Sequence, residues 1–255
     1  MSRKNPSTSS DNAHKEWFAT WFDSPYYHAL YGHRDENEAA EFIQKLCASL
    51  QLKEGQLVLD LACGKGRHTR VFHRLGYNAT GVDLSPESIA YAKEVSHQDI
   101  RFEVADMRSF EMNARYDLIA NLFTSFGYFE KEEENSEVLH CVKKHLTKEG
   151  LFLLDFFNVH KVVASLVPSE TVVKEGVKFA IERAVKDGHI VKSIQFSDNG
   201  KDFQFEEKVQ AIDDAKMKEL LISAGFNIVE QFGDYQLNPF EKNTSDRLIL
   251  VCSYE

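Results

Sequence analysis

The run Val58-Leu59-Asp60-Leu61-Ala62-Cys63-Gly64-Lys65-Gly66-Arg67-His68 constrains the fold more than any other stretch. An apolar strand runs into an acid, a loop of small residues follows, and a helix begins near Arg67. That order places a ligand pocket at the carboxyl edge of a parallel sheet. Small residues at 62, 64 and 66 let the backbone turn sharply and admit a ligand close to the main chain. The first amides of the following helix open onto the same space. A dinucleotide site wants G-x-G-x-x-G, with a pyrophosphate on the helix end. Here Thr69 stands where the third glycine belongs. Asp60 would also repel a pyrophosphate, whereas a carboxylate suits a ligand that carries positive charge.

The next strand ends repeat the logic. Ala79 to Val82 leads to Asp83, about 20 residues past the loop, where a carboxylate accepts from ribose hydroxyls. Ser85-Pro86-Glu87 then starts a helix, serine as N-cap and proline at the first helical position. Ile100 to Ala105 ends at Asp106-Met107, a pair able to flank an adenine. Tyr116 to Ala120 ends at Asn121. A ligand with an ammonium, a sulfonium, a ribose and an adenine, S-adenosylmethionine, meets each of these features.

On these residues the chain resembles the class I S-adenosylmethionine-dependent methyltransferases, of the small-molecule type. The matching elements are Asp60-Leu-Ala-Cys-Gly-Lys-Gly66, Gly81-Val-Asp83-Leu-Ser85, Ala105-Asp106-Met107 and Tyr116-Asp-Leu-Ile-Ala-Asn121. Ala62 replaces the family's first glycine. The resemblance implies an α/β fold: a doubly wound, mostly parallel seven-stranded sheet with a C-terminal antiparallel hairpin. It assigns the backbone of Ala62, Cys63, Gly64 and Gly66 to the methionyl part of S-adenosylmethionine. Asp60 orients the ammonium, directly or through water. Asp83 takes the ribose with Leu84 beside it, and Asp106 with Met107 takes the adenine. The main chain at Asn121, Leu122 and Phe123 lies beside the sulfonium.

The organisation around this frame follows from pattern. Met1 to Asn12 is polar and serine-rich and reads as a disordered tail. Residues 13–50 read as helical, broken near Pro25 and Gly32, with Trp17, Phe18, Trp21, Phe22, Tyr26, Tyr27 and Tyr31 crowding the start. They either hold the segment on the core or form a lid with an acceptor wall. Tyr27 and Arg34 are the candidates in the second case. Arg34 can pair with the cofactor carboxylate, or with Asp35 or Glu36. Glu38 to Leu50 has the spacing of an amphipathic helix. After Asn121, the aromatic stretch to Phe129 follows a strand end. It is expected to line the pocket, with Phe126 and Tyr128 as acceptor wall or plain core. Lys148-Glu149-Gly150 is expected to close a helix before a fifth strand, Leu151 to Phe157.

The period changes to two over residues 170–212. Asp187-Gly188 and Asn199-Gly200 are hairpin turn signals. A small inserted antiparallel sheet of three or four strands is expected, within a subdomain at 166–212. Residues 13–165 and 213–255 then make the cofactor-binding domain. One face of the insert is apolar and either covers the active site or pairs subunits. A helix from Asp213 and strands at Phe226 to Phe232 and Leu248 to Cys252 complete the chain.

Composition sets the remaining bounds. The 255 residues are 43% hydrophobic, enough for one large domain. The net charge of −10 and the want of a basic patch argue against a nucleic-acid partner. A small-molecule acceptor is expected, in a cytoplasmic protein without membrane spans, as monomer or homodimer. The four cysteines make no C-x-x-C pair and the ten histidines lack ligand spacing, so no metal is expected. The reaction expected is methyl transfer to nitrogen or oxygen. The motif Asp/Asn-Pro-Pro-aromatic is absent after Asn121, which argues against adenine N6 methylation. No sequence signature marks a catalytic residue. The rivals are a nicotinamide-dependent oxidoreductase and a non-catalytic S-adenosylmethionine-binding protein.

Overall fold

The computed structural model describes residues 17–31 and 36–254. The expected tail at 1–12 and Arg34 lie outside them. In chain order, α1 (Trp17–Trp21), α2 (Pro25–Tyr31) and α3 (Glu36–Ser49) precede β1 (Leu57–Leu61). Then come α4 (Arg67–Arg74), β2 (Asn78–Asp83), α5 (Pro86–Val95), β3 (Arg101–Val104), β4 (Tyr116–Asn121), α6 (Glu132–His145) and β5 (Leu146–Phe157). The insert is α7 (Val159–Ala164) and β6 (Ser169–Lys174), β7 (Val177–Lys186), β8 (His189–Asp198) and β9 (Lys201–Gln210). α8 (Asp214–Ser223), β10 (Phe226–Phe232) and β11 (Arg247–Tyr254) end the described chain.

The main sheet has seven strands in the order β10-β11-β5-β4-β1-β2-β3. β1 pairs in parallel with β2 and β4, whereas β11 runs antiparallel to β5 and β10. The strand order reverses beside β1, and ligands bind in the crevice at such a reversal. Both faces are covered, as parallel strands require. Val58, Leu118, Leu153 and Val251 face Phe42, Ile43 and Leu46 of α3 and Phe72 of α4. Leu59, Ile119, Leu154 and Leu250 face Val138, Leu139 and Val142 of α6 and Met217 and Leu221 of α8. Alternate residues of one strand thus feed two cores, which is why β1 and β4 read as unbroken apolar runs.

The fifth strand starts earlier than expected. α6 stops at His145, and Leu146 is already extended. Residues 146–150 join β5, with a register shift against β4 after Tyr116. A Cβ on Gly150 would sit 2.7 Å from the Tyr116 carbonyl oxygen. The glycine that reads as a helix stop is therefore needed for the close pairing at this irregularity.

The insert is a four-stranded antiparallel sheet, β6-β7-β8-β9. Its turns at Glu175-Gly176, Asp187-Gly188 and Asn199-Gly200 all have positive φ at both central residues. That is the mirror-image geometry that matches strand twist. Phe179, Ile181, Ile194 and Phe196 form the buried face, and Trp21 and Leu30 of the N-terminal helices cover it. Polar ties fix this cover. Glu207 on β9 accepts from Trp21 Nε1 at 2.7 Å and from the Tyr31 hydroxyl at 2.7 Å. The aromatic-rich segment therefore does not pack on the main sheet alone: it bridges that sheet and the insert.

Candidate active site

The loop after β1 takes its shape from three left-handed residues at alternate positions, Ala62 (φ 63°), Gly64 (φ 54°) and Gly66 (φ 75°). They do different work. A Cβ on Gly66 would lie 2.6 Å from Phe102 Cε1, so this glycine packs against β3. A Cβ on Gly64 would meet nothing within 4 Å, so the backbone there is open. Gly66 caps α4 without a side-chain acceptor, and no acid stands in the helix's first turn. The positive end of α4 is thus left to a ligand.

Asp83 ends β2 and ties the loop in place. Its Oδ2 accepts from the Gly64 amide at 2.7 Å and its Oδ1 from the Ser85 amide at 2.9 Å. Burial raises its carboxyl above the usual range, and these two amides draw it partly back. A carboxylate has about four lone-pair positions, so acceptor capacity is left for a ligand. Ser85 caps α5 by accepting from Ser88 and donates to Asp23 on the α1–α2 connection.

These elements enclose a cavity of about 310 Å³ at the carboxyl ends of β1, β2 and β4. Ala62, Cys63, Gly64, Asp83, Leu84, Asp106, Met107, Leu122, Phe123, Tyr27 and Tyr128 all line it. Asp106 is already engaged, because Arg108 Nη2 sits 2.5 Å from its Oδ2 and also reaches Glu134. Burial pushes the Asp106 carboxyl up, but Arg108 outweighs it and holds the carboxyl below its ordinary value.

Four residues of the sequence reading do not line the cavity. Asp60 is 1% exposed and faces inward, accepting from Thr69 Oγ1 at 2.6 Å. Burial raises its carboxyl to about 7, with Thr69 pulling the other way. Gly66 is turned against Phe102. Asn121 is fully buried and donates to the Leu61 carbonyl at 3.0 Å. Its Oδ1 has no hydrogen-bond partner among the described residues. Phe126, expected as acceptor wall or plain core, is fully buried in the core beside α6 and does not line the cavity. Tyr128, beyond the left-handed Gly127 (φ 79°), does line the cavity.

Phe22 and Tyr31 of the aromatic segment line it too, and so do residues not anticipated, among them His28, Lys65, Arg67 and His68. Tyr31 follows Tyr27 by four positions on α2, the helical spacing that puts both on one face, whereas no such spacing marked His28. Burial lowers the His28 imidazole to about 4, and the Lys65 ammonium adds to the effect. His28 is therefore neutral at physiological pH. A second hollow of about 70 Å³ adjoins, sharing Phe22, Tyr27, Tyr31 and Tyr128 and adding Trp17, Val209 and Glu207.

The residues present fit S-adenosylmethionine. Open backbone at Gly64, a carboxylate with spare acceptor capacity at Asp83 and the apolar Leu84 and Met107 share one wall system. Comparison with known proteins agrees. A methyltransferase-domain family model matches residues 58–150. YqeM of Bacillus subtilis (strain 168), a methyltransferase by name, is 29% identical over 157 residues, 60% of this chain and 59% of its own. The dTDP-3-amino-3,4,6-trideoxy-alpha-D-glucopyranose N,N-dimethyltransferase of Streptomyces venezuelae is 25% identical over 170 residues, 65% of this chain and 71% of its own. The matches thus span about 59% and 71% of those relatives' lengths. The crystal structure of an S-adenosylmethionine-dependent methyltransferase from Clostridium acetobutylicum ATCC 824 superposes with a TM-score of 0.76 at 22% identity, covering 90% of this chain and 96% of that one. Residues 58–150 thus match a methyltransferase domain, within a fold shared with an S-adenosylmethionine-dependent methyltransferase of known structure.

Proposed function

We propose that this chain transfers a methyl group from S-adenosylmethionine to an amino nitrogen of a small molecule, an amino sugar being the favoured class. The observation that carries the reading is the wall that two neighbouring spaces share. The cavity beside the β1 loop shares Phe22, Tyr27, Tyr31 and Tyr128 with a hollow that Trp17 also walls, with Glu207 in its lining. Aromatic faces and a carboxylate suit an amine. The amino-sugar dimethyltransferase of Streptomyces venezuelae supports the same class.

When bound, S-adenosylmethionine supplies an activated methyl group and its own leaving group. The protein's part is alignment and exclusion of water. In this reading Asp83 holds the ribose, and Leu84 and Met107 pack on the nucleoside. Asp106 takes the adenine amine while its other acceptor positions hold Arg108. The loop from Ala62 to Gly64 receives the methionyl part, and buried Asp60 and Asn121 support the loop from beneath. Arg34 belongs to the same proposal as partner of the cofactor carboxylate. An amine attacks only through an unprotonated lone pair. The neutral His28 adds no positive charge that would compete with a cationic cofactor or disfavour an incoming amine.

α1, α2 and the insert form the lid over this space in the proposal. No helix among the described residues is long and apolar enough to cross a membrane. A cytoplasmic location is part of the same reading. The test is turnover: S-adenosylhomocysteine release measured against a panel of amino sugars, their hydroxyl analogues and single-stranded DNA. Release with amines alone is expected. Release only with hydroxyl compounds or nucleic acid would overturn the nitrogen assignment.

A further inference from the structure

Phe123 and Thr124 are consecutive residues with φ of 62° and 64°. Neither is glycine, and threonine is β-branched, so both stand in a region that such side chains rarely adopt. Strain of this kind persists only where the surroundings over-determine it. The surroundings here centre on one residue, Asp155 in β5, fully buried and outside the cavity.

Its carboxylate Oδ2 accepts from the Phe123 amide at 2.9 Å and from the Tyr235 hydroxyl at 3.0 Å. Its carbonyl accepts from the Thr124 amide at 3.0 Å. Arg247 on β11 donates from Nε to Asp155 Oδ1 at 2.7 Å and from Nη2 to Thr124 Oγ1 at 2.9 Å. Both strained amides are thus fixed by one residue, and the guanidinium clamps that residue to the turn. The product of the clamp is the placement of the Phe123 ring in the cavity wall. The ring lies 4.6 Å from the Arg67 guanidinium, 5.5 Å from His68 and 5.6 Å from Tyr235.

A buried ion pair is weak evidence for stability, because desolvation offsets most of the attraction. What the Asp155 and Arg247 side chains do that an apolar pair cannot is hold the Phe123 amide and the Thr124 hydroxyl of a left-handed turn. We propose that Asp155 is a positioning residue of the cofactor site, acting through Phe123 and Thr124, with Arg247 orienting and neutralising it. The proposal rests on the reading of the cavity as the S-adenosylmethionine site.

The test combines affinity with local order. Asp155→Asn leaves Arg247 buried without its charge partner, so the neutral pair Asp155→Asn, Arg247→Gln is made beside it. S-adenosylhomocysteine affinity is measured by calorimetry, and hydrogen exchange is followed over 122–126 and, for comparison, 248–252. The expected result is a loss of affinity of fivefold or more, with faster exchange confined to 122–126. Adding Thr124→Asn, which tolerates the left-handed region, should recover part of the affinity. A smaller loss, no recovery, or exchange rising equally in β11 would overturn the proposal. Failure of the unaltered protein to bind S-adenosylhomocysteine would count against the cofactor reading instead, and the exchange pattern would then decide this inference alone.

Discussion

The Gly64 amide donates to Asp83 Oδ2 at 2.7 Å, so the loop after β1 and the end of β2 are one unit. Asp83 therefore has two duties in the proposed site, shaping the loop and accepting from a ribose. Asp83→Ala removes both, and Asp83→Asn turns one acceptor into a donor facing the Gly64 amide. Either change should weaken S-adenosylmethionine binding by about 1.5–3 kcal/mol, the scale of a hydrogen bond to a charged group. Calorimetry decides it, and an unchanged affinity would mean that the ribose acid is elsewhere.

Gly64 and Gly66 should respond to alanine differently although both are left-handed. Gly66→Ala drives a methyl into Phe102, at 2.6 Å from Cε1. Overpacking of this kind costs about 1–3 kcal/mol, in addition to the backbone cost. Its melting temperature should fall clearly below that of Gly64→Ala, where the new methyl meets nothing within 4 Å. Gly64→Ala should instead lose cofactor affinity with the smaller change in stability. Equal melting temperatures would show that the two glycines are not divided between packing and approach.

The buried Asp60 carboxyl predicts a pH dependence whose sign depends on the ligand. Its folded value, about 7, lies above the ordinary 3.8. Its contribution to stability is thus full below about 3.8 and lost as the pH rises through about 7. A bound ammonium favours the ionised form, so binding releases a proton in that window. S-adenosylmethionine affinity should tighten as pH rises towards about 7, by at most about tenfold per unit, and level off above it. Asp60→Asn should flatten that profile. A slope that survives in the variant would assign the proton to another group.

Glu207 joins Trp21 and Tyr31 to the insert, with Lys192 at 3.8 Å. Glu207→Ala strands these donors and should destabilise the protein by about 1–3 kcal/mol. Hydrogen exchange should speed up in 17–31 before it does in β1 or β4. A uniform change across the sheet would show that the N-terminal helices are not held as a separate cover.

Legibility followed the range over which a signal acts. The parallel frame could be read because β1, β2 and β4 carry Asp60, Asp83 and Asn121 at or next to their carboxyl ends. The turns at 187–188 and 199–200 could be read because Asp-Gly and Asn-Gly supply positive φ on their own, whereas Glu175-Gly176 carries a weaker signal. Lys148-Glu149-Gly150 reads as a helix stop, but the need to pair closely with Tyr116 draws it into β5. In the site, motif position did not say which way a side chain faces. Asp60 and Asn121 occupy the expected strand ends and still turn inward. Phe126 and Tyr128 stand two residues apart in one aromatic stretch, yet one is buried in the core and the other lines the cavity. Asp155 and Arg247 are 92 residues apart and share no pattern, so only the sheet register brings them together.

The decisive measurement is a pair of calorimetric titrations on the unaltered protein, one with S-adenosylmethionine and its demethylated product, the other with oxidised and reduced nicotinamide dinucleotides. The site described here should bind the sulfonium cofactor and its product at one site per chain and leave the dinucleotides unbound. Tight binding of a nicotinamide dinucleotide without binding of S-adenosylmethionine would contradict it.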